Sequence, residues 1–268
     1  MVDQNYTTRA RRAFVVRLHS LSGVAPIGVF LIVHAGLLVA ALRGRDAFEQ
    51  AAAGSFRRPL LAAVELAGVA LPLAFHAVYG LWLTARREPY RVAGAAPSGA
   101  ADEVRASAPD AGSPASPVSS VSPVSSGGAA LTLATFTGAA GRRVTGAAAF
   151  VFIAAHLWVF GEFWGAPWAH GWGSGARPAA LYDALAARLS STVAGAPAFA
   201  FAYLAGLSAT VLHFASGLSP FCAAWGIATS DAARRRAGYA SAAIGVLLFL
   251  AGADVVVFFA TGSRAYFR

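Results

Sequence analysis

Pro26-Ile-Gly-Val-Phe-Leu-Ile-Val-His34-Ala-Gly-Leu-Leu-Val-Ala40 carries no charge, and its one polar side chain is a histidine. Extended upstream to Val15 and downstream to Leu42, the run is long enough to cross a hydrocarbon core of about 30 Å, which takes roughly 20 residues of helix. Four further stretches have the same character: 59–84, 144–164, 197–225 and 239–261. An all-α integral membrane bundle of five transmembrane helices is therefore expected. The composition agrees. Of 268 residues, 57% are apolar and 12% charged, with mean hydropathy +0.58. A soluble domain is nearer a quarter charged, so the bilayer must stand in for the missing polar shell. The first run is too long for a signal h-region, lacks an obvious cleavage site and holds a histidine, so it is read as a mature helix.

Three segments follow: 1–93 with the first two helices, 94–128, and 129–268 with the last three. The middle one is built from Ala, Ser, Pro, Gly and Val with repeated Ser-Pro-Val. Lacking aromatic anchors and periodicity, it is expected to be a disordered insert without chemistry. The connection 165–196 is richer in Trp and Gly and is expected to pack on the outer surface, where Trp164, Trp168 and Trp172 suit an interfacial aromatic belt and His170 is solvated. All 21 basic residues are arginine, and the net charge is +9. The amino-terminal side carries thirteen (Arg9, Arg11, Arg12, Arg17, Arg86, Arg87, Arg91, Arg105, Arg142, Arg143, Arg234, Arg235, Arg236) and the other side eight. The excess places the amino terminus in the cytoplasm.

One cysteine, Cys222, excludes an internal disulfide, a four-cysteine zinc site and an iron–sulfur cluster held by this chain alone. Any such cluster belongs to a partner. No nucleic-acid partner is expected, and Cys222 reads as a small buried apolar side chain.

The other chemistry sits in histidines. His34, His76, His156 and His213 each fall inside a different expected helix, where an ionisable group is costly and points to function. With helix direction alternating, His34 and His156 both lie about 8 residues, roughly 12 Å, from the outer ends. His76 and His213 lie roughly 8 to 12 residues, about 12–18 Å, from the inner ends. Two histidines facing each other suit the two axial positions of a haem iron, so two pairs at two depths suit two haems. Zinc fits less well, because three or four ligands would have to converge on one point. A proton relay would need more carboxylates than Glu65 and Asp254, although those suffice for one quinone-linked proton step.

Residues eleven apart on a helix share a face, about 16.5 Å away along the axis. That step leads from His34 to Gly23, from His156 to Thr145 and from His213 to Ala202, three small residues where a flat macrocycle in the other layer needs room. From His76 it leads to Glu65, a carboxyl on the haem face in the outer layer. A lone carboxyl there is costly when charged, which suits it to delivering or accepting quinone protons.

Arg17-Leu-His-Ser-Leu-Ser-Gly23, Ile-Gly-Val-Phe-Leu-Ile-Val-His34, Phe-His76-Ala-Val-Tyr-Gly80, Ala-His156-Leu-Trp158, Leu-His213-Phe-Ala-Ser-Gly-Leu218 and Ala-Trp225-Gly-Ile227 closely resemble the di-haem cytochrome b558 membrane subunits of succinate dehydrogenase and fumarate reductase. The resemblance spans all five helices, and each haem-ligand histidine of the family has its counterpart here. The insert and a longer outer loop are the departures. The resemblance implies a membrane anchor for a flavoprotein subunit and an iron–sulfur subunit, exchanging electrons with a quinone, commonly menaquinone. Two readings stand beside it: a di-haem cytochrome b of another quinone-linked dehydrogenase, and a haem-free transporter.

The remaining candidates are secondary. Arg17, His19, Ser20, Arg142 and Arg143 are candidate partners for the propionates of the inner haem, with snorkelling to head groups the simpler reading of any one arginine. Tyr79, Trp158 and Trp225 suit either haem or quinone contact or packing between helices. Should Glu65 prove structural, the surroundings of Trp158 and Glu162 are the next place for a quinone.

Overall fold

The computed structural model describes residues 2–56, 66–86, 138–160, 178–263 and 265. Glu65, Glu162, His170, the aromatic trio Trp164, Trp168 and Trp172, and the 94–128 insert lie outside the described residues.

The first span is two helical pieces, α1 (Val2–Val24) and α2 (Pro26–Val39), closed by a 3-10 turn at Ala40–Arg43. Their junction falls at Ala25 because Pro26 lacks an N–H and its ring fits only the start of a helical segment. A second irregularity has the same cause. Leu66–Ala70 winds as a π-turn directly ahead of α4 (Leu71–Ala85), which carries Pro72 in its first turn. The remaining spans are α5 (Ala139–Phe160), α7 (Ala198–Ala224) and α8 (Asp231–Thr261). Five helices are long and apolar enough to cross a membrane. The last begins at Asp231 rather than near Tyr239, because the Ser230 hydroxyl accepts from the Ala233 N–H and Asp231 favours the positive end of the helix.

α1, α4, α5 and α7 form a square. α1 touches α4 and α7, α5 touches the same two on the far side, and α8 lies outside the square against α7 and α2. Glycines allow the close approaches: a Cβ on Gly206 would lie 2.0 Å from the Phe152 ring, and one on Gly28 2.6 Å from Phe214. Val29, Ile32, Val33, Val78, Val151, Phe201 and Leu247 face outward and exposed, which suits contact with lipid chains.

One end of the square carries a cap. α3 (Arg45–Phe56) and α6 (Pro178–Leu189) pack together over Leu42, Phe48, Phe160, Leu181, Leu185, Leu189 and Phe259. The second half of the 165–196 connection is thus a helix whose Leu181, Leu185 and Leu189, four apart, share one buried stripe. Arg45 clamps α3 to α6. Its Nη1 donates to Asp183 Oδ2 at 2.9 Å, its Nη2 to Oδ1, and its guanidinium lies 4.9 Å from the Tyr182 ring centre. The hydrogen bond from Arg45 holds the Asp183 carboxyl below the usual carboxylate range.

Asp254 is fully buried, and its Oδ1 accepts from the backbone N–H of Ala265. The chain turns at Gly262, in the left-handed conformation with φ 73°, and returns along α8 to make that bond. A structural partner therefore occupies this carboxyl, which the sequence left open for quinone protons.

Candidate functional site

His34 on α2 faces His156 on α5, with ring centroids 6.0 Å apart and planes 82° apart. His76 on α4 faces His213 on α7 at 5.9 Å and 76°. The His76–His213 pair spans the α4–α7 diagonal of the square, and the His34–His156 pair joins α2, which continues the α1 span, to α5. Gly23 touches His76 and lies eleven residues before His34, which separates the two layers by about 16 Å of helix rise.

The outer edges of the rings are held. His76 Nδ1 lies 2.9 Å from the His19 carbonyl oxygen, and His213 Nδ1 3.1 Å from that of Arg142. A carbonyl only accepts, so Nδ1 carries the proton in both rings and Nε2 keeps the lone pair. His156 Nδ1 is 3.1 Å from the Tyr203 hydroxyl. Ligand histidines are oriented by such outer bonds. The spacing also fits. In each pair the ring centres, 6.0 and 5.9 Å apart, would leave room for one haem iron between the two imidazoles. The donor set is all imidazole, as a b haem takes. Among the described residues no three of His, Cys, Asp and Glu converge in a way that would hold a lone metal ion.

Close fits surround the inner pair. A Cβ on Gly23 would lie 2.4 Å from His76 Cε1, and one on Gly146 2.8 Å from His213 Cε1. Gly146, not Thr145, is the small residue against the His213 ring; Thr145 is buried beside it and donates to the Gly141 carbonyl at 2.9 Å. Ala202 is exposed, and its neighbour Tyr203 is the residue that reaches the other layer. Both displacements are by one residue, from eleven to ten. Helices packed with a supercoil repeat every 3.5 residues, so three turns are about 10.5 residues and either spacing serves. Tyr203 was missed for that reason.

The residues read as propionate partners are placed as follows. The His19 ring stacks on His76 with centroids 4.1 Å apart and planes 7° apart, so it backs the His76 ring. The Ser20 hydroxyl donates to the Arg17 carbonyl at 3.1 Å and accepts from Trp225 Nε1 at 3.2 Å, tying α1 to the end of α7. Arg142 supplies its carbonyl to His213. Tyr79 stacks between Phe75 and Trp82, and Trp82 in turn lies 4.7 Å under Arg86, an interfacial anchor. Trp158 is 76% exposed and two residues past His156, on the opposite side of α5, so it faces away from the pair.

Over 257 residues the chain is 28% identical to the succinate dehydrogenase cytochrome b558 subunit of Bacillus subtilis (strain 168), covering 93% of this chain and 98% of that one. The chain is similar to that subunit along nearly its whole length. No family profile matches the chain, and no solved structure does.

Proposed function

We propose that this chain is the two-haem membrane anchor of a succinate:quinone oxidoreductase, carrying electrons between soluble flavoprotein and iron–sulfur subunits and a membrane quinone of the menaquinone type. The supporting observation is the pair of histidine couples at 6.0 and 5.9 Å, each facing across the bundle, one between the first and third spans and one between the second and fourth. A b haem bound at each couple supplies a one-electron ferric/ferrous centre. His76 and His213 hold the inner one and His34 and His156 the outer one, with the amino terminus in the cytoplasm. The chain's own work is positional. Backbone carbonyls fix the inner rings, and glycines leave them room. Arg17, His19, Arg142 and Arg143 are the candidate donors to propionates on the cytoplasmic side, and Ser20, whose hydroxyl donates to the Arg17 carbonyl, would join them only by giving up that bond. Glu65 holds or moves a proton for the quinone at the outer layer. With one cysteine and no flavin fingerprint, succinate chemistry falls to the partner subunits.

The test is haem content of the purified complex by visible spectroscopy, with co-purifying subunits identified. Two b haems per chain are expected. His76→Ala and His213→Ala should each remove one and the same haem, and His34→Ala and His156→Ala the other. A wild-type protein with one haem or none, or partners without a flavoprotein, would overturn the reading.

A further inference from the structure

The described Nδ1 contacts differ in kind. His76 and His213 rest on backbone carbonyls at 2.9 and 3.1 Å, which no substitution removes, with the Ser22 hydroxyl a more distant 3.4 Å from His76, whereas His156 rests on a side chain, the Tyr203 hydroxyl at 3.1 Å. Tyr203 is itself firmly seated. Its ring stacks on Phe199 at 5.0 Å and meets Phe152 and Phe160 edge-on at 5.2 and 6.2 Å. Phe152 and Phe160 also flank the His156 ring, at 6.0 and 5.3 Å. The hydroxyl is thus delivered to one nitrogen by an aromatic cage whose packing does not depend on the oxygen.

We propose that Tyr203 is the positioning residue that tunes the redox potential of the haem between His34 and His156, whereas the rings of the other pair are held chiefly by main-chain carbonyls. This rests on the two-haem reading above. When Nε2 of His156 is given to iron, Nδ1 must carry the proton, so the ring donates and the Tyr203 oxygen accepts. Accepting that hydrogen bond would push electron density onto the imidazole and favour ferric iron. Tyr203→Phe keeps the ring and its three aromatic neighbours and removes only the acceptor. Losing one net hydrogen bond of ordinary strength shifts an equilibrium about threefold to tenfold. For one electron that is about 30 to 60 mV upward.

The experiment is an absorbance-monitored redox titration of the purified complex, with the low-spin EPR signals of both haems, for wild type and Tyr203→Phe. The haem lost in His156→Ala identifies which signal to follow. Its potential should rise and its EPR signal move, with the other haem unchanged. No shift, or an equal shift of both haems, overturns the proposal. If Tyr203→Phe loses that haem outright, Tyr203→Gln returns an acceptor: recovery of the haem supports the assignment and continued loss refutes it. A wild type lacking two haems would instead overturn the underlying two-haem reading.

Discussion

Replacing Gly23 by alanine should remove one haem while leaving the bundle folded. The added Cβ would lie 2.4 Å from His76 Cε1, 2.8 Å from Nδ1 and 3.3 Å from Nε2, whereas ordinary contact begins at 3.4 Å. The ring must therefore retreat by about 1 Å, several times the roughly 0.2 Å that a metal–ligand bond tolerates. It cannot simply tilt. The His19 ring is stacked on it at 4.1 Å, and Nδ1 is held by the His19 carbonyl at 2.9 Å, with the Ser22 hydroxyl at 3.4 Å. Overpacking of this kind costs about 1–3 kcal/mol. Alanine recovers up to about 1 kcal/mol through its helix propensity, so the net stability change is small beside the loss of ligand geometry. Haem per chain should fall from two to one, read by absorbance on purified protein, with the His34/His156 haem retained. Gly36→Ala is the control: nothing lies within 4 Å of its Cβ, so both haems should stay and the helix gain up to about 1 kcal/mol. Two haems with unchanged potentials in Gly23→Ala would show that the glycine is not needed for the site.

Two further predictions concern other parts of the chain. Asp183 has a folded-state carboxyl held below its unfolded value near 3.9, so the Arg45 clamp contributes above that value and is lost as pH falls through the lowered one. Thermal stability should fall as the pH drops below about 4, and Asp183→Asn should remove that part of the dependence; identical pH profiles would mean the exposed pair contributes nothing. Glu65→Gln in the assembled complex should keep both haems and slow quinone turnover about a hundredfold or more, within the usual reach of general acid–base catalysis. Near wild-type turnover would make Glu65 structural.

Much of this protein was legible one residue at a time. A hydrocarbon core admits only long apolar helices, so five spans could be read from runs such as 26–40, and the cost of an ionisable group within them marked His34, His76, His156 and His213. Depth along alternating helices also sorted those four into two layers. Periodicity resolves only rotation about one helix axis, and it does not show which of two adjacent positions, ten or eleven residues away, meets the ring on the facing helix. Hence Gly146 and Tyr203 stood one position away from the Thr145 and Ala202 that counting reached. Side-chain partners were beyond it for a different reason. Ser20 with Trp225, Asp254 with the Ala265 N–H, and His19 stacked on His76 are contacts between segments 11 to 205 residues apart. The cap shows the same limit: Leu181, Leu185 and Leu189 carried a helical stripe, but only packing against Phe48 and Phe160, with Arg45 reaching Asp183, gives that stripe a surface to bury against. A sequence carries the cost of putting each group in lipid, and the tertiary structure alone decides which neighbour meets that cost.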